Sequence, residues 1–254
     1  MRIIVTQDRQ AMGRWVATQA AEQLIQKIAD QGHANIVIAT GSSQFEVLSE
    51  LAKQPGIDWS KVTGFHLDEY VGLSIEHPAS FCRYLKERFV NKVPLNAFHY
   101  LQGDGDIQEV ISKTSELITQ TKIDLALVGI GENGHLAFND PPADFDTDAP
   151  YLVVELDEAC RQQQVGEGWF ATLDDVPTQA ITMSIKQIMK AETIFCSVPD
   201  ERKAKAVADT VQGEISSMVP ASILRQHNDA TLIVDETAAS RLDLATRQSA
   251  EAVS

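Results

Sequence analysis

Ile123-Asp124-Leu125-Ala126-Leu127-Val128-Gly129-Ile130-Gly131-Glu132-Asn133-Gly134-His135-Leu136-Ala137-Phe138-Asn139-Asp140-Pro141-Pro142 joins a mostly apolar run to a glycine-rich loop. The run, Ile123 to Ile130, reads as a strand buried on both faces, the pattern of a parallel sheet covered by helices. The loop matches the dinucleotide fingerprint G-x-G-x-x-G, but that site needs a long helix behind its third glycine. Here Pro141 and Pro142 would end a helix within about two turns of His135. The glycines therefore read as room for a substrate beside His135 at the carboxyl end of a strand.

Further strands are expected at Arg2 to Thr6, Asn35 to Thr40, Val62 to Leu67, Glu192 to Val198 and Ala230 to Asp235. Weaker candidates are Tyr151 to Leu156 and Gln179 to Met183. Amphipathic helices alternate with them. Met12, Val16, Ala20, Leu24 and Ile28 step by four, and Ile107, Val110, Ile111, Thr114, Leu117 and Ile118 form a second stripe behind Asp106 and Glu109 in capping-box spacing. This alternation predicts an α/β fold with a mainly parallel sheet. No repeat or linker interrupts the 254 residues, so one domain spanning 1–254 is expected. Arg241, Leu242, Leu244 and Arg247 suggest a terminal helix. The irregular stretch after Asn139, with Pro141, Pro142 and Pro150, reads as a functional loop or lid.

A formal charge of −15 opposes nonspecific nucleic-acid binding, which needs a basic surface, but leaves room for a small anion in a local pocket. No apolar run reaches bilayer length and the N-terminus has no signal-peptide pattern, so a cytoplasmic protein without a membrane partner is expected. Cys82, Cys160 and Cys196 are three and widely spaced, which fits neither a disulfide framework nor a close-spaced zinc site.

Four segments could carry chemistry. Thr40-Gly41-Ser42-Ser43 lies between a strand and a helix, where small residues let an anion approach the helix N-terminus; an ordinary serine-capped turn is the competing reading. Asp68 and Glu69 end an apolar strand at the edge where α/β sheets put their ligands, and one of them could move a proton if burial raised its pKa. His135, flanked by Asn133 and Asp140, is the best acid/base candidate of the six histidines. Lys203, in the first turn of a helix opened by Asp200, opposes the helix dipole unless an anion binds there.

Together these segments resemble the glucosamine-6-phosphate deaminase family from about residue 36 to about residue 235. The resemblance is carried by Ala39-Thr40-Gly41, Leu67-Asp68-Glu69-Tyr70-Val71-Gly72-Leu73, His77-Pro78-Ala79-Ser80-Phe81, Gly129 to Asn139, and Val176-Pro177-Thr178-Gln179-Ala180-Ile181-Thr182-Met183. It implies the Rossmann-like three-layer α/β/α fold shared with ribose-5-phosphate isomerases and coenzyme A transferases. It also implies conversion of an amino-sugar phosphate, such as glucosamine 6-phosphate, to a ketose phosphate and ammonia without metal or organic cofactor. His135 would open the sugar ring, oriented by Asn133 and Asp140; Asp68 would carry a proton from C2 to C1; Thr40 to Ser43 and Lys203 would hold the phosphate. The family usually has glutamate where Asp140 stands. It has a phosphate-binding arginine just before an aromatic pair, whereas Gly166-Glu167-Gly168 precedes Trp169-Phe170 here; Arg161 is the candidate replacement. No allosteric effector site is expected, and a homo-oligomer is compatible with this reading. The competing functions are a 6-phosphogluconolactonase-like hydrolase, a non-deaminating sugar-phosphate isomerase and, outside enzymes, a sugar-phosphate sensor.

Overall fold

The computed structural model describes residues 1–253. In chain order its strands are β1 (Arg2–Thr6), β2 (Ala34–Ile38), β3 (Val62–His66), β4 (Asp68–Tyr70), β5 (Ala97–His99), β6 (Leu125–Val128), β7 (Tyr151–Glu155), β8 (Gln179–Met183), β9 (Thr193–Val198), β10 (Ala230–Asp235) and β11 (Glu251–Val253). Its α-helices are α1 (Arg9–Gln31), α2 (Phe45–Leu51), α3 (Phe81–Arg88), α4 (Ile107–Thr119), α5 (Glu158–Gly166), α6 (Ile185–Ile188), α7 (Ala204–Gln212) and α8 (Leu244–Ser249). Eight strands form one parallel sheet in the order β11-β1-β10-β9-β6-β2-β3-β5, and β4, β8 and β7 form a small antiparallel sheet.

Side-chain alternation along the parallel strands sorts the core into two layers. Ile36, Ile38, Leu125 and Leu127 pack under α1, α2 and α3 through Met12, Val16, Leu24, Leu48 and Leu85. Val37, Ala126, Val128, Cys196 and Val198 face the other way, against Ile118 of α4, Ile188 of α6 and Val207 of α7. This is the expected α/β/α sandwich. Each fully buried Leu or Ile contributes about 1.5–3 kcal/mol of transfer free energy. Helix α1 starts where Asp8 accepts from the Ala11 N–H (2.7 Å) and stops at Gly32, whose φ of 84° suits the left-handed cap. Asp106 caps α4 by accepting from the Glu109 N–H.

The chain changes sheets at a single residue. The Leu67 N–H donates to Ile38 O in the large sheet (3.2 Å), while its carbonyl accepts from the Met183 N–H in the small one (2.9 Å). Asp68 is the next residue, so its position is set by both sheets. Three short strands, β4, β5 and β11, were not expected from the sequence, and the terminal helix is α8. No described helix is long and apolar enough to cross a membrane.

Candidate active site

Four neighbouring strands of the large sheet, β9, β6, β2 and β3, deliver their carboxyl ends to one cleft, as open α/β sheets do with their ligands. The cleft encloses about 610 Å3, part of it open to solvent at the mouth. After β2 come Thr40 to Ser43, after β3 Asp68, after β6 Gly129 to His135, and after β9 Pro199 and Lys203; all of these positions line it except Glu132, Asn133 and Gly134.

The loop after β2 turns at Gly41, whose φ of 88° favours glycine. Its carbonyls are held from outside: Tyr84 Oη donates to Gly41 O (3.1 Å) and Arg9 Nη2 to Ser42 O (2.9 Å). Buried Gln44 donates through Nε2 to Val128 O (3.0 Å), tying this loop to the end of β6.

The two adjacent acids separate into different tasks because neighbours on a strand point to opposite faces. Asp68 lines the cleft, is 6% exposed, and its Oδ1 has no hydrogen-bond partner. Burial, and secondarily the charge of Glu69, push its carboxyl up to about 8. Glu69 is fully buried and accepts from the N–H groups of Tyr70 (2.9 Å), Phe81 (3.1 Å) and Cys82 (2.7 Å) and from Ser80 Oγ (2.9 Å). Burial raises its pKa and those four donors oppose the rise. Glu69 thus clamps the start of α3 to β4.

His135 is 8% exposed at the cleft wall. Gly131 is required behind it, since a Cβ there would lie 2.3 Å from the imidazole Cε1 and Nε2. Asn133 Oδ1 accepts the His135 backbone N–H (3.0 Å), and Asn133 Nδ2 donates to Asp140 Oδ1 (3.1 Å) and Asp157 Oδ2 (3.2 Å). His135 Nδ1 lies 3.0 Å from Asp140 Oδ1, although the pair lacks the alignment of a full hydrogen bond. Burial pushes the Asp140 carboxyl up, but His135, Asn133 and the Asp157 N–H together outweigh it and hold the group below its usual range. The chain from His135 to Asn139 forms isolated bridges rather than a helix, with Ala137 at a φ of 55°. The dinucleotide arrangement is therefore absent from this loop.

Ligand atoms of His135, Asp140 and Cys160 lie within 4.8 Å of one another. Burial, and secondarily the charges of Asp140 and Asp157, push the Cys160 thiol far up.

Lys203 is 6% exposed and lines the cleft, in the 3-10 turn 201–203 that precedes α7. Burial lowers its pKa, partly offset by the carboxylates of Glu167 and Glu132. Arg161 does not reach the cleft. Its Nη2 donates to Leu173 O (2.6 Å) and Val176 O (3.1 Å), so it braces the segment after α5 instead of replacing a phosphate ligand. The face of α5 toward the cleft carries Gln163 and Gln164, followed by Glu167 just beyond the helix; none of the three was singled out from the sequence. The run Gln162-Gln163-Gln164 was the available signal, since polar residues rarely face a core without a partner. Gln164 Oε1 accepts from Tyr70 Oη (2.7 Å), and Gln163 Oε1 from the Glu132 N–H (2.8 Å). The proline-bearing stretch 141–150 packs away from the cleft, with the Ala143 N–H on Ser217 O and Lys186 on Asp148, so it forms no wall of it.

Comparison with known proteins bears on the same chain segments. The family model for glucosamine-6-phosphate isomerases/6-phosphogluconolactonase matches residues 7–233. A glucosamine-6-phosphate deaminase of Exiguobacterium sp. is 42% identical over 205 residues, covering 80% of this chain and 79% of that protein. One from Lactobacillus delbrueckii subsp. bulgaricus is 35% identical over 243 residues, 95% of this chain and all of that protein (100%). Among solved structures, a monomeric glucosamine-6-phosphate deaminase superposes with a TM-score of 0.85 at 28% identity, covering 94% of this chain and 99% of the other. The Thermotoga maritima 6-phosphogluconolactonase reaches 0.76 at 15% identity, with 93% and 100% covered, and shares the fold. With nearly the whole chain matched by the family model and by relatives above 30% identity, the chain belongs to the glucosamine-6-phosphate isomerase/6-phosphogluconolactonase family.

Proposed function

We propose that the protein is an isomerising deaminase that converts glucosamine 6-phosphate, or a close amino-sugar phosphate, to the ketose phosphate and ammonia. The observation that carries this reading is Asp68: a buried carboxyl without a partner, held in the same cleft as His135 and Lys203. Lactone hydrolysis needs no proton shuttle between C1 and C2, whereas aldose–ketose conversion requires one.

In this scheme His135 relays the proton of the C1 hydroxyl to the ring oxygen as the C1–O bond opens, with Asp140 beside the imidazole and Asn133 holding the His135 backbone N–H. Asp68, as carboxylate, takes the C2 proton while the substrate ammonium gives a proton to the C1 oxygen, forming the neutral enolamine; Asp68 then returns its proton at C1, leaving the protonated imine at C2. Water adds to that imine and ammonia leaves. A substrate ammonium beside Asp68 favours the carboxylate form, so the high pKa of the empty site falls on binding. Thr40 to Ser43 and Lys203 anchor the phosphoryl group, turning its binding into orientation of C1 and C2 over Asp68.

The test is ammonia release by the purified protein from glucosamine 6-phosphate and galactosamine 6-phosphate, with 6-phosphogluconolactone in parallel. Ammonia that disappears in Asp68→Asn supports the deaminase. Lactone turnover with no ammonia supports the hydrolase and overturns the proposal.

A further inference from the structure

Lys203 is the one cation among the described residues that line the cleft, and it is already engaged. Glu167 Oε1 lies 3.5 Å from its Nζ, with both side chains largely buried, at 6% and 7% exposure. The carboxylate is held in place from two sides: Gln163 Nε2 donates to Oε1 (2.8 Å) and the Trp169 indole Nε1 to Oε2 (3.3 Å). Trp169 is itself packed against Phe45 and Tyr84, beside the loop after β2. The nearby guanidinium of Arg202 supplies no spare charge, because it pairs with Asp200 at 2.9 Å and lies 3.8 Å from Glu132. Arg9, on the far side of the loop, pairs with Glu46 at 3.2 Å. The end of the cleft that would receive a phosphoryl group is therefore close to neutral.

We propose that Glu167 is a specificity-determining residue: a built-in counter-ion of Lys203 that competes with the distal anion of the ligand and weakens the site for dianions. This rests on the sugar-phosphate reading of the cleft. A phosphate ester carries close to two negative charges at neutral pH, and a fixed carboxylate sharing its only lysine repels it in a water-poor setting. A distal group of lower charge pays less of that repulsion, so the site discriminates by charge as well as by shape. The backbone on either side is fixed as well, with the N–H groups of Glu167, Gly168 and Trp169 donating to Gln163 O (2.8 Å), Val165 O (2.9 Å) and Gln164 O (3.0 Å).

The experiment is titration of inorganic phosphate into the wild-type protein, Glu167→Gln, Glu167→Ala and the exposed-site control Glu116→Gln, followed by the KM and kcat of each for glucosamine 6-phosphate. Both Glu167 variants are expected to bind phosphate about tenfold or more tightly than wild type, with KM lowered and kcat within a few-fold, while Glu116→Gln changes neither. Unchanged or weaker phosphate binding in the Glu167 variants overturns the proposal and makes the residue a support for Lys203. Because phosphate binding needs no turnover, tighter binding without ammonia release from any amino sugar would remove the deaminase reading and leave this one standing.

Discussion

Replacing Asp68 with asparagine should make the protein more stable while it destroys the proposed proton transfer. The carboxyl titrates at about 8 in the folded chain, against an ordinary value of 3.8. Between those values the folded protein keeps a proton that the unfolded chain releases. The stability this group contributes is thus fully present below pH 3.8 and is lost as pH rises through about 8. Each pH unit in that window removes about 1.4 kcal/mol, so at pH 7 the ceiling is on the order of 4 kcal/mol. Local rearrangement and water entry reduce it, and about 2–4 kcal/mol is expected. Asparagine has nearly the same shape and no charge to desolvate, so it escapes the loss. Urea unfolding of both proteins at pH 4, 5.5, 7 and 8.5 should give curves that coincide at the lowest pH and separate in favour of the variant above it. For a chain of this size the gap corresponds to roughly 4–16 °C in Tm. A difference that stays flat across the series refutes the argument, because it removes the desolvated carboxyl as its source. The same variant should release no ammonia, an instance of a functional site held at the expense of stability.

Two other substitutions probe the walls of the cleft. Gly131→Ala puts a Cβ within 2.3 Å of the His135 ring, so the imidazole must move while the sheet stays intact; kcat is expected to fall about 100-fold or more with stability changed by roughly 1 kcal/mol, and activity within a few-fold of wild type would remove His135 from the reaction. Glu69→Gln replaces an acceptor of four hydrogen bonds by a group that must turn an NH2 toward a donor; it should cost about 2–4 kcal/mol in thermal unfolding at neutral pH, and an unchanged Tm would deny Glu69 its clamping role.

Those tests also mark what could be read before the structure. The strands β1, β2, β3, β6, β9 and β10 are runs of β-branched and apolar residues long enough to stand out, and their ends differ from expectation by a few residues at most. Strands β4, β5 and β11 have three residues each, and Asp68-Glu69-Tyr70 begins with two acids, so no local pattern announces them. Asp68 and His135 were legible because carboxylates and histidines at strand ends are conspicuous. The division of labour between Asp68 and Glu69 was not, since it depends on which face of a three-residue strand meets the start of α3. Arg161 misled for a related reason. Its guanidinium donates to the carbonyls of Leu173 and Val176, while Gln163 and Gln164 of the same helix line the cleft, and which of these neighbours turns inward is set by the segment packed against α5. Four residues on from Gln163, Glu167 comes round to the same side, and charge alone gives no hint that an acid would seek Lys203 there.

The position of β1 in the large sheet has a consequence for synthesis. It lies between β10 and β11, its residues Arg2–Thr6 paired with Thr231–Asp235 on one side and Ile4–Thr6 with Glu251–Val253 on the other. A ribosome delivers the first strand some two hundred residues before either neighbour exists. Until Asp235 emerges, Ile3-Ile4-Val5 is an apolar segment with two open edges, tethered only by α1. Contacts of such sequence separation close late and slowly, so this segment stays available to chaperones or to other chains until β10 has been made.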